Sequence, residues 1–149
     1  MKTKSFTTSF MVEQSPHEVF EAINNVRAWW PGTLEGRTDA LGAEFTYRFE
    51  DFHHSTQKIT EFIPGRRVTW HVSRSKINFV KDKDEWTGTD MVFDIGRKDG
   101  QTELRFTHRG LVPILQCYEG CSGAWDTYVG NSLRDLITTG KARPDLNGH

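Results

Sequence analysis

The feature that most constrains this chain is one amphipathic stretch near its end, Cys117 to Gly140, whose apolar spacing, length and terminators all specify a single long helix. At about 100° per residue, Tyr118, Cys121, Val129, Ser132 and Leu136 lie within about 40° of Trp125, and Tyr128 and Leu133 sit at the edges of that stripe. Glu119, Thr127, Asn131 and Arg134 fall well outside it. Gly140, followed by Lys141, Arg143 and Pro144, supplies the C-terminal glycine, the cations suited to the helix dipole and the stop. Such a helix is about 36 Å long, enough to cross a small domain, so the rest of the chain must provide an apolar surface to receive it. Within the stripe, Cys121 and Ser132 are small and lie between Tyr118, Trp125 and Leu136. Small residues between aromatic ones leave space, and Tyr118 and Tyr128 can point hydroxyls into it, the mixture expected of a small-molecule pocket. The alternative is close packing against bulky strand residues opposite.

At 149 residues the chain is a single domain that can bury a core without disulfides or metal. Lys and Arg total 19 against 20 Asp and Glu, which gives no electrostatic reason to expect nucleic acid or an anionic membrane as partner. The start, MKTKSFTTSF, is polar and alternating, and no window approaches a membrane-spanning apolar run, so a soluble, cytoplasmic protein is expected. The two cysteines, Cys117 and Cys121, fall at i and i+4 on the predicted helix, a geometry poor for a disulfide and compatible with a reducing compartment.

Ser5 to Glu13 alternates as a first strand with Phe6, Phe10 and Val12. Ser15-Pro16-His17-Glu18 then combines an N-cap serine, proline at the first helical position and glutamate at the third, ahead of Val19, Phe20, Ala22 and Ile23 at helical spacing. That helix stops near Asn24-Asn25, a further turn spans Val26 to Trp30, and Pro31-Gly32 breaks the chain. From Ala43 the period becomes two, with Phe45, Tyr47 and Phe49 on one face. Thr56 to Ile63 and Arg67 to Arg74 flank the turn Pro64-Gly65-Arg66, and Val68, Trp70 and Val72 share a face. Ser75 to Gly88 mixes Lys76, Lys81 and Lys83 with Asp82, Asp84 and Glu85 and reads as an exposed excursion anchored by Phe79 and Trp86. Asp90 to Arg97 and Gln101 to Arg109 meet at Asp99-Gly100, a type I′ hairpin signature that sets Met91, Phe93 and Ile95 opposite Leu104, Phe106 and His108. The order is strand, short helices, about six antiparallel strands and a long helix: an α+β domain whose sheet needs that helix as its cover.

This order, the run Ser15-Pro16-His17-Glu18-Val19-Phe20-Glu21-Ala22, the Trp29-Trp30-Pro31-Gly32 break and the Gly123-Ala124-Trp125 helix resemble the SRPBCC, or START-like, superfamily over essentially the whole of residues 1–149. Within it the chain is similar to the branch named after the C-terminal domain of the heat-shock protein 90 ATPase activator, and Cys117 to Lys141 to small bacterial proteins of that branch. The resemblance implies a helix-grip fold: a curved antiparallel β-sheet wrapped around a long C-terminal α-helix, two short helices after the first strand, and a hydrophobic cavity between sheet and helix. It does not fix a function, because the superfamily includes lipid carriers, aromatase/cyclases, hormone receptors and oxygenase domains. The activator's additional chaperone-binding domain has no counterpart here, which weakens a co-chaperone reading.

A cavity of that kind would be walled by Tyr47, Phe49, Trp70, Met91, Phe93, Phe106 and His108, facing Tyr118, Cys121, Trp125 and Ser132, with Trp29, Trp30 and Trp86 near a mouth. Aromatic walls suit a flat or lipidic ligand, although each aromatic taken singly is as well explained as core. His108 points inward at the end of the last strand and, with Tyr118 nearby, is the candidate proton donor or general base; the favoured alternative is a hydrogen-bonded structural histidine. Asp126 and Glu61 are the carboxylates available to it. His53-His54 has no third ligand at recognisable spacing, and there is no Gly-x-Ser-x-Gly elbow, phosphate loop or dinucleotide fingerprint, so neither metal nor cofactor is expected. Arg74, Lys76, Lys81 and Lys83 are interleaved with acids and read as a solvated loop. Gly120, Gly123 and Gly130 lie opposite Trp125, where they either admit a homodimer contact or are simply tolerated. The expectation is a binding protein for a small hydrophobic or aromatic molecule, with a cyclase- or dehydratase-like enzyme using His108 and Tyr118, or a chaperone-associated interaction module, as the other readings.

Overall fold

The computed structural model describes residues 5–30, 33–49, 53–77, 86–111 and 118–140. The chain begins with β1 (Phe6–Val12), α1 (Pro16–Asn24) and α2 (Val26–Trp29). Six strands follow, β2 (Thr33–Gly36), β3 (Glu44–Phe49), β4 (His53–Ile63), β5 (Arg67–Ile77), β6 (Asp90–Lys98) and β7 (Gln101–Arg109). The closing helix runs as α3 (Tyr118–Thr127), a π-helical segment (Tyr128–Leu133) and α4 (Arg134–Thr139). Cys117, Pro31-Gly32 and Phe79, singled out in the sequence, lie outside the described residues.

The helix start encoded by Ser15 forms as a full capping box, with the Glu18 amide donating to Ser15 Oγ and the Ser15 amide donating to Glu18 Oε1. Asp99 and Gly100 both take positive φ, 53° and 81°, as a type I′ turn requires, and the register pairs Met91 with His108, Phe93 with Phe106 and Ile95 with Leu104. All seven strands join in one curved, unclosed antiparallel sheet in the order β1-β7-β6-β5-β4-β3-β2. Its inner face carries Phe45, Ile59, Val68, Trp70, Met91, Phe93, Leu104 and Phe106, all at most 1% exposed. Across it lies the C-terminal helix, burying Trp125, Val129, Leu133 and Ile137. At about 1.5–3 kcal/mol per buried apolar side chain these four supply about 6–12 kcal/mol gross, on the scale of a domain's net stability.

Three features depart from the sequence reading. Strand β2 is not legible in the sequence, because Thr33–Gly36 is only four residues long and too short to show a period of two. Strands β4 and β5 are longer than expected, so Ser75, Lys76 and Ile77 belong to the sheet and not to an excursion. The C-terminal helix does not keep one α-helical phase. Its π-helical turn accommodates an extra residue, so Ser132 and Leu133 are both fully buried, and the next inward position is Ile137 where uniform spacing puts Leu136, which is only half-buried. The helix ends as expected, with Gly140 at φ 81° donating its amide to the Leu136 carbonyl.

Candidate ligand site between the sheet and the C-terminal helix

The space under the helix is organised by tryptophans. Trp30 stacks on Tyr47 with ring centroids 3.7 Å apart and planes 8° apart, and on its other neighbours it lies 5.8 Å from Trp70 and 5.2 Å from Trp125. Trp29 stacks on Trp70 at 6.2 Å, and Trp86 stacks on Trp125 at 5.7 Å. Trp29, Trp30 and Trp86, expected near a mouth, are instead 0%, 2% and 4% exposed. The reason is local. Trp29 closes α2 with its indole donating to the Ile23 carbonyl, and Trp30, in extended conformation as the C-cap, turns its ring inward as well.

Ser132 answers the question posed by small residues on the helix stripe. Its hydroxyl donates to the Trp29 carbonyl at 2.7 Å with both residues buried, so the room beside Ser132 receives the backbone of α2. Cys121 is buried on the same stripe. The side chains of Phe49 and Tyr118 lie outside the described residues.

His108 is 0% exposed and bonded through both ring nitrogens. Trp125 Nε1, which can only donate, donates to His108 Nδ1 at 3.0 Å. That assigns the proton to Nε2, which donates to Thr89 Oγ1 at 2.8 Å, and the Thr89 hydroxyl passes the chain on to the Trp86 carbonyl at 2.6 Å. The network fixes one tautomer and ties β7 to the helix and to the segment before β6. Neither carboxylate considered as its partner is disposed that way: Glu61 accepts from Thr69 Oγ1 at 2.6 Å and from Arg67, and Asp126 is exposed. The Thr69 hydrogen bond, with smaller help from Arg67, holds the Glu61 carboxyl below its usual range.

The polar residue that sequence reasoning missed is Gln57. It is 0% exposed, its strand neighbours across the sheet are Phe45 and Val72, and neither its Oε1 nor its Nε2 has a hydrogen-bond partner among the described residues. Trp70 Nε1, two residues from Val72 on the same strand face, is buried and likewise without a partner among the described residues. The signal was present in the sequence as parity: Gln57 alternates in step with Ile59, an inward residue. Tyr47, opposite Ser55 one rung away, has its phenol pushed well up by burial and further by the nearby Tyr128, whose own phenol is raised by burial. The inner face between β3, β4 and β5 therefore presents a carboxamide, an indole N–H and the neutral Tyr47 phenol within aromatic walls, and the C-terminal helix adds the Tyr128 phenol. Such an arrangement can accept a mostly apolar molecule carrying a polar group that both donates and accepts. Among the described residues no three His, Cys, Asp or Glu side chains are grouped as a metal site, and no helix is long and apolar enough to cross a membrane.

No family model matches the chain, and no curated protein matches it. Solved structures do. The Aha1 dimer from Colwellia psychrerythraea is similar with a TM-score of 0.74 and 23% identity, covering 93% of this chain and 99% of that one. DynU16, from the dynemicin biosynthetic locus, is similar with a TM-score of 0.64 and 19% identity over 91% of this chain and 48% of that one. CalU16 from Micromonospora echinospora is similar with a TM-score of 0.62 and 12% identity over 91% and 76%. At these identities the likeness is one of fold. The chain shares with these structures the helix-grip fold, a curved antiparallel sheet with a C-terminal helix across it, and an Aha1 protein is among its structural neighbours.

Proposed function

We propose that the protein binds a small, largely apolar molecule of flat or aromatic shape between the inner face of the sheet and the C-terminal helix. The observation that carries this reading is the Gln57 carboxamide, fully buried with both polar atoms unpartnered. An unpaired buried polar group costs about 1–3 kcal/mol, and an apolar side chain of the same length would avoid the cost. Its retention is accounted for by a ligand that accepts from Nε2 and donates to Oε1, with the Trp70 indole as a second donor. Tyr47, Trp70, Met91, Phe93 and Phe106 from the sheet, and Cys121 and Trp125 from the helix, form the walls in this reading; Trp29, Trp30, His108 and Ser132 hold those walls in place.

Binding is favoured over cyclase- or dehydratase-like chemistry because both His108 ring nitrogens already hold hydrogen bonds to Trp125 and Thr89, which suits a structural link better than a base facing a substrate. A homodimer is the companion reading: the Colwellia protein is described as a dimer, and an added Cβ at Gly123 or Gly130 meets nothing within 4 Å, leaving that helix face open to another backbone. The test is native mass spectrometry of freshly purified protein beside its Gln57→Met variant. A bound small molecule present in the first and depleted in the second supports the proposal. Spectra without adduct, repeated against a panel of aromatic metabolites and lipids, would refute it.

A further inference from the structure

The convex face of the sheet carries a charged feature that strand alternation alone hides. In β5, Val68, Trp70 and Val72 point inward, and simple alternation would send Arg74 and Lys76 inward after them. They do not follow, because the register jumps: Gln57 pairs with Val72 but Thr56 pairs with Arg74, leaving Ser73 as the extra residue of a β-bulge, its hydroxyl donating to the Thr56 carbonyl at 3.2 Å. The bulge turns Arg74 and Lys76 to the outer face and Ser75 to the inner one. One rung of that outer face then reads Arg48–His54–Lys76 across β3, β4 and β5, and the next reads Thr46–Thr56–Arg74. Three permanent cations and a histidine thus occupy neighbouring positions on three adjacent strands. Like charges placed opposite one another in a sheet are destabilising, and none of the four has an ion pair among the described residues. Glu35 and Glu44, the acids on this face nearest by register, do not pair with them either.

The surface at this point is not flat. A concavity of about 340 Å³ is lined by Thr46, His54, Ser55, Thr56, Arg74 and Lys76, together with Ser75 at its base, within the size range of small-molecule pockets of roughly 300–1,000 Å³. The Arg74 guanidinium fork, the Lys76 ammonium and hydroxyl donors around one hollow, with Arg48 opposite His54 on the adjoining strand, are a donor set that recognises phosphate-type oxygens. We infer that this hollow binds a compact phosphate-bearing anion, independently of any ligand under the helix. The bulge at Ser73 is the device that assembles the site, by re-aiming two cations that the sequence pattern assigns elsewhere.

The test is a ¹H–¹⁵N NMR titration of the full chain with inorganic pyrophosphate against sodium chloride at matched ionic strength, paired with flotation on phosphatidylcholine vesicles with and without phosphatidylinositol phosphates. Shifts confined to Thr46, His54, Thr56, Ser73, Arg74 and Lys76 are expected. The exposed double variant Arg74→Ser/Lys76→Ser should weaken binding by about tenfold or more without lowering the melting temperature, and Lys98→Ser, at the far end of β6, should have no effect. Pyrophosphate binding without flotation makes the ligand a soluble phosphate compound; flotation only on the phosphoinositide vesicles makes it a headgroup, and both support the inference. Equal shifts in chloride, pyrophosphate binding that survives the double variant, or binding of an oligonucleotide but not of pyrophosphate or the vesicles would overturn it.

Discussion

Replacing Gln57 by Met should make the empty protein more stable, an unusual sign for a substitution at a fully buried site. The carboxamide is 0% exposed with neither atom hydrogen-bonded, so the folded protein forfeits about 1–3 kcal/mol of solvation that the unfolded chain keeps. Methionine has a similar length, accommodates to its neighbours and needs no partner, with a repacking cost below about 1.5 kcal/mol. The net expectation is a gain of about 1–2 kcal/mol. For a domain of this size, that raises the melting temperature by about 2–8 °C. The assay is thermal and urea unfolding of wild type and variant, both refolded from denaturant so that no ligand is carried over. Gln57→Glu, which would bury a charge at the same place, should destabilise and serves as the control for site burial. If Gln57→Met lowers stability by about 1 kcal/mol or more while Gln57→Glu behaves as expected, the amide is satisfied in the ligand-free state and the reasoning fails.

Other consequences follow from the same interior. Trp125→Phe removes the donor to His108 Nδ1 and should cost about 2–4 kcal/mol; in a double-mutant cycle with His108→Phe the two should couple by about 0.5–3 kcal/mol in urea unfolding, and strict additivity would contradict the hydrogen-bonded link. Burial, then the charge of Tyr128, raises the Tyr47 phenol above its ordinary 10.0, so the stability it contributes is fully present below pH 10 and is lost as pH climbs from there. Tyr47→Phe should therefore flatten the alkaline limb of stability against pH, and an unchanged limb would count against a buried neutral phenol. Gly123→Ala lies on an exposed helix face with open space for the methyl and should stabilise by about 0.8–1 kcal/mol; destabilisation together with loss of dimer mass in light scattering would instead place a partner's backbone there.

The elements legible in the sequence are those whose signals are local and whose geometry is uniform. The capping box at Ser15 and Glu18 and the turn at Asp99-Gly100 each specify their own backbone, and the hairpin then sets the β6–β7 register without further information. What the sequence hides lies where one residue is inserted into a period. The π-helical turn moves the inward position from Leu136 to Ile137, and the bulge at Ser73 moves Arg74 and Lys76 to the other face of the sheet. Neither insertion has a signature in residue type, since both are settled by what packs across from them. The candidate site shows the same division. Trp70, Phe93, Phe106 and Trp125 are inward by alternation and helical spacing, and are so found. Ser132 could not be read as the seat of the Trp29 carbonyl, because that contact joins residues 103 positions apart. Gln57 is harder to read, because a polar residue in a strand is ordinarily assigned to solvent; its parity with Ile59 is the one sequence signal to the contrary, and the burial of Phe45 and Val72 beside it agrees with that parity.

The most direct test of ligand binding under the helix is a crystal structure of the protein as purified from its native host, read at one place: the volume within hydrogen-bonding distance of Gln57 Oε1 and Nε2. The account predicts non-protein density larger than a water molecule, contacting the carboxamide and lying against Trp70 or Tyr47. A single ordered water bridging Gln57 and Trp70 Nε1, with side chains filling the rest, would contradict it.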